Sequence, residues 1–430
     1  MLGILRTGIC RALLLGASLL ATASAAGAAE TVITADAMLD VTNGKMLEKP
    51  MIVVRDDRIV AIGKQGTFTA GEDAQYIALD GMTLLPGFMD MHVHLSSDAE
   101  TPFFASMSYS VPRQTVVAVK NAKRTLMAGF TTVRDLGDGG YSVIGVRDGI
   151  NAGEIAGPRI FSAGNALSIT GGHCDNNFLP PEMQVRSDGV ADGPWAAREK
   201  VRENIKYGAN AIKFCATGGV FSKGTKVGIQ QYSLEEMKAI VEETHRRGLV
   251  AAAHAHGTSG IKAAIVAGVD SVEHVSFLDD EGVALAKKFG TYFSMDIYNT
   301  EYTLTYGAEN GVPEENLNKE REVSKAQRES FTRAVKGGVK MVFGSDAAIY
   351  PHGDNAKQFS RMVQFGMTPL QALQAATVNP ATLMKQERDL GALKEGFLAD
   401  IVAVKGNPLE DITVTEDVSF VMKNGVVYKR

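Results

Sequence analysis

A pair of histidines, His92 and His94, lies at the end of the largely apolar segment 84–91. On a strand, alternate side chains point to the same face, so both imidazoles would lie on one side with Val93 turned away. Two imidazoles placed in this way can chelate one metal ion. A His-x-His pair alone is equally compatible with ordinary packing or a surface position. Its interpretation therefore depends on which other residues the fold brings to it.

Four further residues with ligand chemistry lie at the ends of apolar segments: Lys213, His254, His274 and Asp346. A single histidine on an apolar strand is usually a core residue, but a lysine within the apolar segment 211–214 is costly to bury. Lys213 has three interpretations: a salt bridge to Asp346, a Schiff-base nucleophile, or an amine carboxylated by CO2. The Schiff base leaves the histidines without a role, whereas the carbamate carries a negative charge that can bridge two metal ions.

The middle of the chain alternates short apolar segments with helical patterns, which is typical of βα units around a parallel sheet. Helix starts are marked by a capping box at Ser233–Glu236 and by Thr368–Pro369. Eight strands are predicted, the first ending at the histidine pair and the others at 131–135, 159–163, 211–215, 250–254, 271–274, 292–296 and 341–346. The pattern predicts an α/β fold with a (β/α)8 TIM barrel. All strand ends of such a barrel meet at one mouth, so the six ionisable side chains would meet there.

The two ends of the mature chain are rich in strands, which favours a small β-sandwich domain built from residues 30–83 and 388–430. The barrel then occupies residues 84–387. Two long connections, 165–200 and 298–330, follow the third and seventh strands. We expect both to be loops at the rim of the barrel mouth, where they either set substrate specificity or decorate the surface.

Residues 1–29 have the layout of a secretory signal peptide. Arg6 and Arg11 precede the apolar segment 12–20, and small residues follow at 23–28. An uncleaved membrane anchor is the alternative, but the apolar segment is short for a spanning helix. Cleavage would take the formal net charge from -5 to about -7. We expect a periplasmic or secreted protein without membrane contact after cleavage and without a nucleic-acid partner.

Three cysteines occur in the chain. Cys10 falls in the predicted signal peptide, while Cys174 and Cys215 would remain in an oxidising compartment, where they could pair. The sequence leaves the pairing open. The absence of a Cys-x-x-Cys motif argues against a zinc ribbon or a redox motif.

The order of the candidate ligands resembles the amidohydrolase superfamily with a binuclear metal centre: His-x-His on strand one, Lys on four, His on five and six, and Asp on eight. Segments 81–87 and 391–396 and the strand-rich ends extend the resemblance to nearly all of the mature chain. Segments 170–173, 213–220 and 231–233 look like the imidazolonepropionase-related branch, which includes Xaa-Pro dipeptidase-like, carboxypeptidase-like and ochratoxin-hydrolysing enzymes. True imidazolonepropionases are less similar, since they lack the lysine on strand four and use one metal ion.

This resemblance implies that His92, His94 and Asp346 bind the more buried of two divalent metal ions. His254 and His274 would bind the more exposed ion. Carboxylated Lys213 and a hydroxide would bridge the two, with zinc as the default metal.

The same resemblance assigns catalytic roles. Asp346 would act as general base and then general acid. Tyr232 would polarise the carbonyl or stabilise the oxyanion, unless it is merely a helix-entry residue. His173 would hold a substrate carboxylate, unless it is merely a loop histidine. His256, two residues after His254, is expected to be a supporting partner rather than a ligand.

These observations predict a secreted enzyme that hydrolyses the amide bond of a small dipeptide or N-acyl amino acid, ochratoxin-type amides included. A lactonase or cyclic-amide hydrolase is the alternative, because it needs the same metal centre. A non-catalytic scaffold is disfavoured because all six ligand positions are filled. The resemblance also implies a homo-oligomer.

Overall fold

The computed structural model describes residues 30–71 and 73–430. The predicted signal peptide, residues 1–29, lies outside the described residues. Within those residues, no helix combines the length and the apolar composition needed to cross a bilayer.

Both chain ends contribute to one eight-stranded sheet. Its strands are β1 (Glu30–Asp40), β2 (Lys45–Glu48), β3 (Pro50–Arg55), β4 (Arg58–Lys64), β5 (Gln75–Pro86), β14 (Ile401–Lys405), β15 (Val418–Lys423) and β16 (Val426–Lys429). The order is β16-β15-β14-β5-β1-β3-β4, with β2 also paired to β1. Hydrogen bonds thus connect the two termini directly through β14 and β5. The prediction that both ends build one β unit is consistent with this sheet, whereas the two-layer sandwich stays a prediction.

Eight parallel strands occupy the middle of the chain, close to the segments that the sequence predicts. They are β6 (Phe88–Val93), β7 (Phe130–Asp135), β8 (Arg159–Ser162), β9 (Ile212–Cys215), β10 (Ala251–Ala255), β11 (Ser271–His274), β12 (Tyr292–Ser294) and β13 (Met341–Val342). They pair as a five-stranded sheet, β13-β12-β11-β10-β9, and a three-stranded sheet, β6-β7-β8. Isolated parallel bridges link the edges of these sheets, Val93 with Ala347 and Leu167 with Phe214.

Helices lie between most of these strands and after the last of them. They are α1 (Val111–Met127), α2 (Ser142–Asn151), α3 (Pro194–Lys206), α4 (Leu234–Arg246), α5 (Thr258–Ala267), α6 (Asp280–Phe289), α7 (Asn299–Tyr306), α8 (Glu314–Gly337), α9 (Lys357–Gln364), α10 (Pro369–Ala375) and α11 (Val378–Leu383). Ser233 forms the predicted capping box of α4, and Thr368, the predicted start of α10, forms a capping box as well. Their side-chain oxygens accept backbone N–H groups that the first turn leaves unpaired.

The prediction of a loop over 298–330 is wrong, because this segment forms α7 and most of α8. The high charge content concealed an apolar face with helical spacing. Leu317, Val323 and Phe331 are buried on that face, while charged neighbours such as Glu322 are exposed. A helix with one buried face tolerates many charges on the other. The rim after β12 is therefore largely helical.

Candidate metal centre and active site

The six predicted ligand residues line a single cavity of about 800 Å³. Each comes from the carboxyl end of a different parallel strand or the residues just after it, apart from His92 and His94, which share β6. The strand architecture thus brings together residues that are up to 254 positions apart, as the ordering in the sequence suggested. The set consists of His92, His94, Lys213, His254, His274 and Asp346.

One part of the cluster combines imidazoles with a carboxylate. Asp346 Oδ1 lies 3.4 Å from Nε2 of His92 and 3.4 Å from Nε2 of His94. The other oxygen, Oδ2, accepts a hydrogen bond of 3.0 Å from Asn299 Nδ2. Ligand atoms of His92, His274 and Asp346 all lie within 4.8 Å of one another, which is close enough to hold one ion.

The other part consists of imidazoles alone. Ligand atoms of His254, His256 and His274 lie within 4.8 Å of one another. The rings of His256 and His274 are stacked with centroids 4.8 Å apart. The sequence predicts that His256 lies on the same strand face as His254. It does not indicate that a His256 ring nitrogen lies as close to the cluster as the ring nitrogens of His254 and His274. Only the register of β10 against β11, with His254 beside Glu273 and Ala255 beside His274, reveals this.

Several of these rings are anchored through the nitrogen that faces away from the cluster. His274 Nδ1 lies 2.9 Å from Asp296 Oδ1, and His94 Nδ1 lies 3.0 Å from the Gly137 carbonyl oxygen. His256 Nδ1 lies 2.7 Å from Ser276 Oγ. Anchoring one ring nitrogen fixes the ring and leaves the other nitrogen directed at the cavity, as in metal-binding histidines.

A buried ion pair lies beside His92 of the cluster. Arg134 Nη2 donates to Glu273 Oε1 at 2.9 Å, and both side chains are fully buried. Glu273 Oε2 in turn lies 3.2 Å from His92 Nδ1. Burial alone would raise the pKa of Glu273, but the Arg134 charge, the contact with His92 and the Lys213 charge together outweigh it and hold this pKa well below its usual value.

Lys213 is almost completely buried at the centre of the cavity. Among the described residues it forms no ion pair with Asp346, whose Oδ1 faces the two histidines instead. The salt-bridge interpretation of Lys213 is therefore wrong for this structure. Burial lowers the pKa of the Lys213 amine to about 8, although the carboxylates of Glu273 and Asp346 oppose the shift. Near neutral pH, a larger fraction of this amine is consequently neutral than for an ordinary lysine.

His173 lies beside the imidazole-only part of the cluster. Its ring is stacked on His254, with centroids 4.2 Å apart, and its Nδ1 lies 2.8 Å from Ser222 Oγ. A Cβ on Gly219 would come within 2.5 Å of the His173 ring and 2.7 Å of the His254 ring. Glycine at 219 therefore makes room for the stacked pair.

The structure answers the question left open about the cysteines, because Cys174 and Cys215 form a disulfide with Cα atoms 6.1 Å apart. This bond joins the residue after His173 to the end of β9, two residues beyond Lys213. Both cysteines line the cavity. The loop that carries His173 is thus covalently attached to the strand that carries the central lysine.

The structure corrects the expectation for Tyr232. Its side chain is fully buried outside the cavity, and its hydroxyl donates a hydrogen bond of 3.1 Å to the Ala191 carbonyl oxygen. Burial raises the pKa of Tyr232 well above its usual value. The residue packs at the entry of α4, with its ring 6.2 Å from that of Phe214. It cannot stabilise an oxyanion from this position.

The two remaining histidines of the described chain lie outside the cluster. His352 is buried rather than at the rim, with Nε2 3.2 Å from the His94 carbonyl oxygen. His245, expected to be solvated on its helix, is exposed and lies 2.8 Å from Asp270 Oδ2.

The cluster is chemically suited to divalent metal ions. His254 Nε2 is buried without a hydrogen-bond partner among the described residues, which is unfavourable unless an ion or water binds there. Imidazole nitrogens with a carboxylate oxygen are donors that zinc and related cations accept. The residues present therefore fit a metal centre.

Comparison with known proteins agrees with this chemistry. The sequence model of the amidohydrolase family matches residues 83–428. Ochratoxinase from Aspergillus niger is 34% identical over 414 residues, covering 90% of this chain and 84% of the relative. The imidazolonepropionase of Symbiobacterium thermophilum is 24% identical over 381 residues, covering 82% of each chain.

Two solved structures share the fold over almost the whole chain. The crystal structure of a Xaa-Pro dipeptidase with methionine bound in its active site superposes with a TM-score of 0.86 at 38% identity, covering 94% of this chain and 100% of that one. The crystal structure of A. niger ochratoxinase gives a TM-score of 0.84 at 32% identity, covering 94% and 96%. The resemblance inferred from the ligand order is thus confirmed, and the chain belongs to the amidohydrolase family, as a hydrolase of amide C–N bonds.

Proposed function

We propose that this protein is a binuclear metal-dependent amidohydrolase that cleaves small dipeptides or N-acyl amino acids. The observation that carries the proposal is the convergence of His92, His94, His254, His274 and Asp346 around the buried Lys213 in one cavity. Similarity to a Xaa-Pro dipeptidase and to ochratoxinase supports an amide with a free carboxylate as the substrate.

In this proposal His92, His94 and Asp346 hold one ion, and His254 and His274 hold the other. Lys213, carboxylated on its amine, supplies the shared ligand. Two divalent cations, with zinc as the default, supply Lewis-acid polarisation of the carbonyl and a hydroxide at neutral pH.

Asp346 is placed to move the proton. Asn299 fixes its Oδ2, which leaves Oδ1 directed at the cluster. Burial and the nearby Asp296 raise the pKa of Asp346 to about 7 in the metal-free chain. A carboxylate in this position accepts a proton from the nucleophile and returns it to the leaving amine.

His173 is placed to bind the substrate carboxylate. Burial lowers its pKa to about 3, so the ring is neutral at physiological pH. If the Ser222 hydroxyl donates to Nδ1, the proton sits on Nε2. A neutral imidazole can then donate one hydrogen bond to a carboxylate without leaving a buried charge when the site is empty.

The proposal also includes the barrel, domain, localisation and oligomer predictions made from the sequence. The eight parallel strands form a closed (β/α)8 barrel over residues 84–387, supported by the bridges at both sheet edges. Residues 30–83 and 388–430 form the β-sandwich domain. Removal of the signal peptide 1–29 delivers the enzyme to the periplasm or the medium, where it acts as a homo-oligomer.

The proposal is tested by measuring kcat/KM of zinc-loaded protein for Xaa-Pro dipeptides, N-acyl amino acids and lactones under the same conditions. We expect amides with a free carboxylate to be hydrolysed and their carboxamide analogues to be poor substrates. Preferential hydrolysis of lactones, or no amide hydrolysis after loading with zinc and bicarbonate, would contradict it.

A further inference from the structure

A second cavity of about 820 Å³ opens directly beside the metal-candidate cavity. The two cavities share three lining residues, His94, Phe221 and Ile349. The second cavity lies between the segment that follows β6 and the α7–α8 region. The two cavities are therefore adjacent, and a substrate bound next to His94 lies at the edge of the second one.

Large aromatic and aliphatic side chains alternate with small polar ones around this second cavity, which we call the aromatic chamber. Phe103, Phe221, Tyr302, Val312 and Ile349 line it. The rings of Phe103 and Phe221 have centroids 6.3 Å apart, and none of the five side chains is fully buried. These apolar side chains are partly exposed around a concave space. An apolar ligand that covers them removes apolar surface from water, which is favourable.

The chamber extends outwards as an aromatic cluster. Phe178, from the connection after β8, packs against Phe103 with centroids 5.2 Å apart and against Phe104 at 6.0 Å. Phe104 is 56% exposed. Three separate segments of the chain therefore place phenyl rings near one opening, which is more than the isolated exposed aromatic residue of an ordinary surface.

The charges of the chamber exclude an anionic group. Its lining residues include no lysine or arginine. Its one acidic residue, Asp98, is nearly buried and pairs with Lys120. A substrate carboxylate would find no lysine or arginine side chain there and would lose hydration, whereas His173, on the imidazole-only side of the centre, offers it an imidazole N–H donor.

We propose that the aromatic chamber binds the acyl side of the substrate amide and selects bulky, uncharged aromatic acyl groups. This rests on the proposed function and deepens it by naming the substrate class. The amino acid that carries the carboxylate lies towards His173, and the acyl group extends past His94 into the chamber. Aromatic stacking and burial of apolar surface provide the selectivity.

The test compares two substrate series on the zinc-loaded enzyme. In the first, the amino acid is constant and the acyl group grows from acetyl to benzoyl to 2-naphthoyl. In the second, the acyl group is acetyl and the amino-acid side chain grows over the same sizes. We expect kcat/KM to rise by about ten-fold or more along the acyl series, the gain from one well-packed ring. A rise along the amino-acid series alone would overturn the assignment.

Variants that empty or fill the chamber make the test specific. Ala99→Phe adds a ring to a chamber-lining position and should remove the preference for naphthoyl over acetyl. Tyr302→Ala should lower kcat/KM for the aromatic substrates by about ten-fold, mainly through KM. Phe289→Ala, at an exposed ring on the end of α6, is the matched control.

The outcomes separate this inference from the function on which it rests. If wild-type enzyme hydrolyses the acetyl and naphthoyl substrates equally and Ala99→Phe changes neither, the chamber has no such role although the enzyme is an amidase. If wild-type enzyme hydrolyses no amide, the proposed function fails and the chamber proposal fails with it.

Discussion

The metal-candidate cluster has two halves that differ in charge. The carboxylate half contains His92, His94 and Asp346, and the imidazole half contains His254 with His256 close by, while His274 lies within ligand distance of both. A dication in the carboxylate half meets a ligand of opposite charge, whereas the ligand atoms of the imidazole half are ring nitrogens. Lys213 lines the same cavity, and its carbamate would supply an anionic ligand that the imidazole half lacks. Occupancy of the imidazole half should therefore depend on CO2, and that of the carboxylate half should not.

Lys213→Ala gives the largest expected effect. Without the carbamate, the imidazole half loses its only anionic ligand, so we expect one ion per chain instead of two and a loss of activity of at least about 10³-fold. Metal analysis of the dialysed protein, combined with rate measurements, checks both. Added propionate should restore part of the activity, and Lys340→Ala, an exposed position, should behave like wild type. Two tightly bound ions in Lys213→Ala would refute the carbamate.

Asp346→Asn examines the carboxylate half. The amide preserves shape and can still contact Asn299, so the protein should fold with an unchanged circular dichroism spectrum. Loss of the proton acceptor should lower kcat by about 10²- to 10⁴-fold. Turnover within a few-fold of wild type would exclude a proton-transfer role for Asp346.

His256→Gln tests the imidazole half. If the His256 nitrogen supports the ion in the imidazole half, zinc affinity there should fall by about 10- to 100-fold, while the carboxylate half is unaffected. Competition of the loaded protein with a chelator resolves the two affinities. His245→Gln, on an exposed helix, is the control. Equal weakening of both ions would indicate a general structural effect instead.

Glu320, which lines the cavity on α8, gives the smallest expected effect. Burial raises its pKa to about 7, although the Thr300 hydroxyl bonded to it opposes the shift. The native carboxyl therefore holds its proton more tightly than the unfolded one. Stability of the metal-free protein should fall as pH rises from about 4.5 to about 7.

Glu320→Gln should remove about 1–3 kcal/mol of that pH dependence, measured by urea unfolding at pH 5 and pH 8. Glu322→Gln, at an exposed position on the same helix, should leave the pH dependence as in wild type. If the free energy of unfolding differed between pH 5 and pH 8 by the same amount in Glu320→Gln as in wild type, the Glu320 carboxyl would not be the group responsible for the pH dependence.

The strands and the cluster were predictable because they rest on local patterns. Apolar segments ending in histidine, lysine or aspartate identify strand ends, and parallel strands direct those ends to one edge. The position of Lys213 beside the histidines follows from strand order alone. Strand-rich patterns at both chain ends predicted one β domain, and the pairing of β5 with β14 is consistent with that prediction.

Contacts that depend on register or on loop conformation were not predictable. The close approach of His256 to His274 depends on how β10 pairs with β11. Tyr232 was assigned from a local motif, yet its hydroxyl is directed at Ala191 by the packing of α4. The Cys174–Cys215 bond closes a segment of 41 residues, a distance over which sequence spacing carries no geometric information. The charge of 298–330 concealed the helical periodicity of α8.

A stepwise zinc titration of metal-free protein in bicarbonate buffer, with bound metal and amide hydrolysis measured in the same samples, tests the central claim most directly. The two-halves account predicts two ions per chain, tighter binding of the first, and activity that rises with the second ion and is lost when CO2 is removed. Full activity at one ion per chain, or binding of the second ion that is indifferent to CO2, would contradict it.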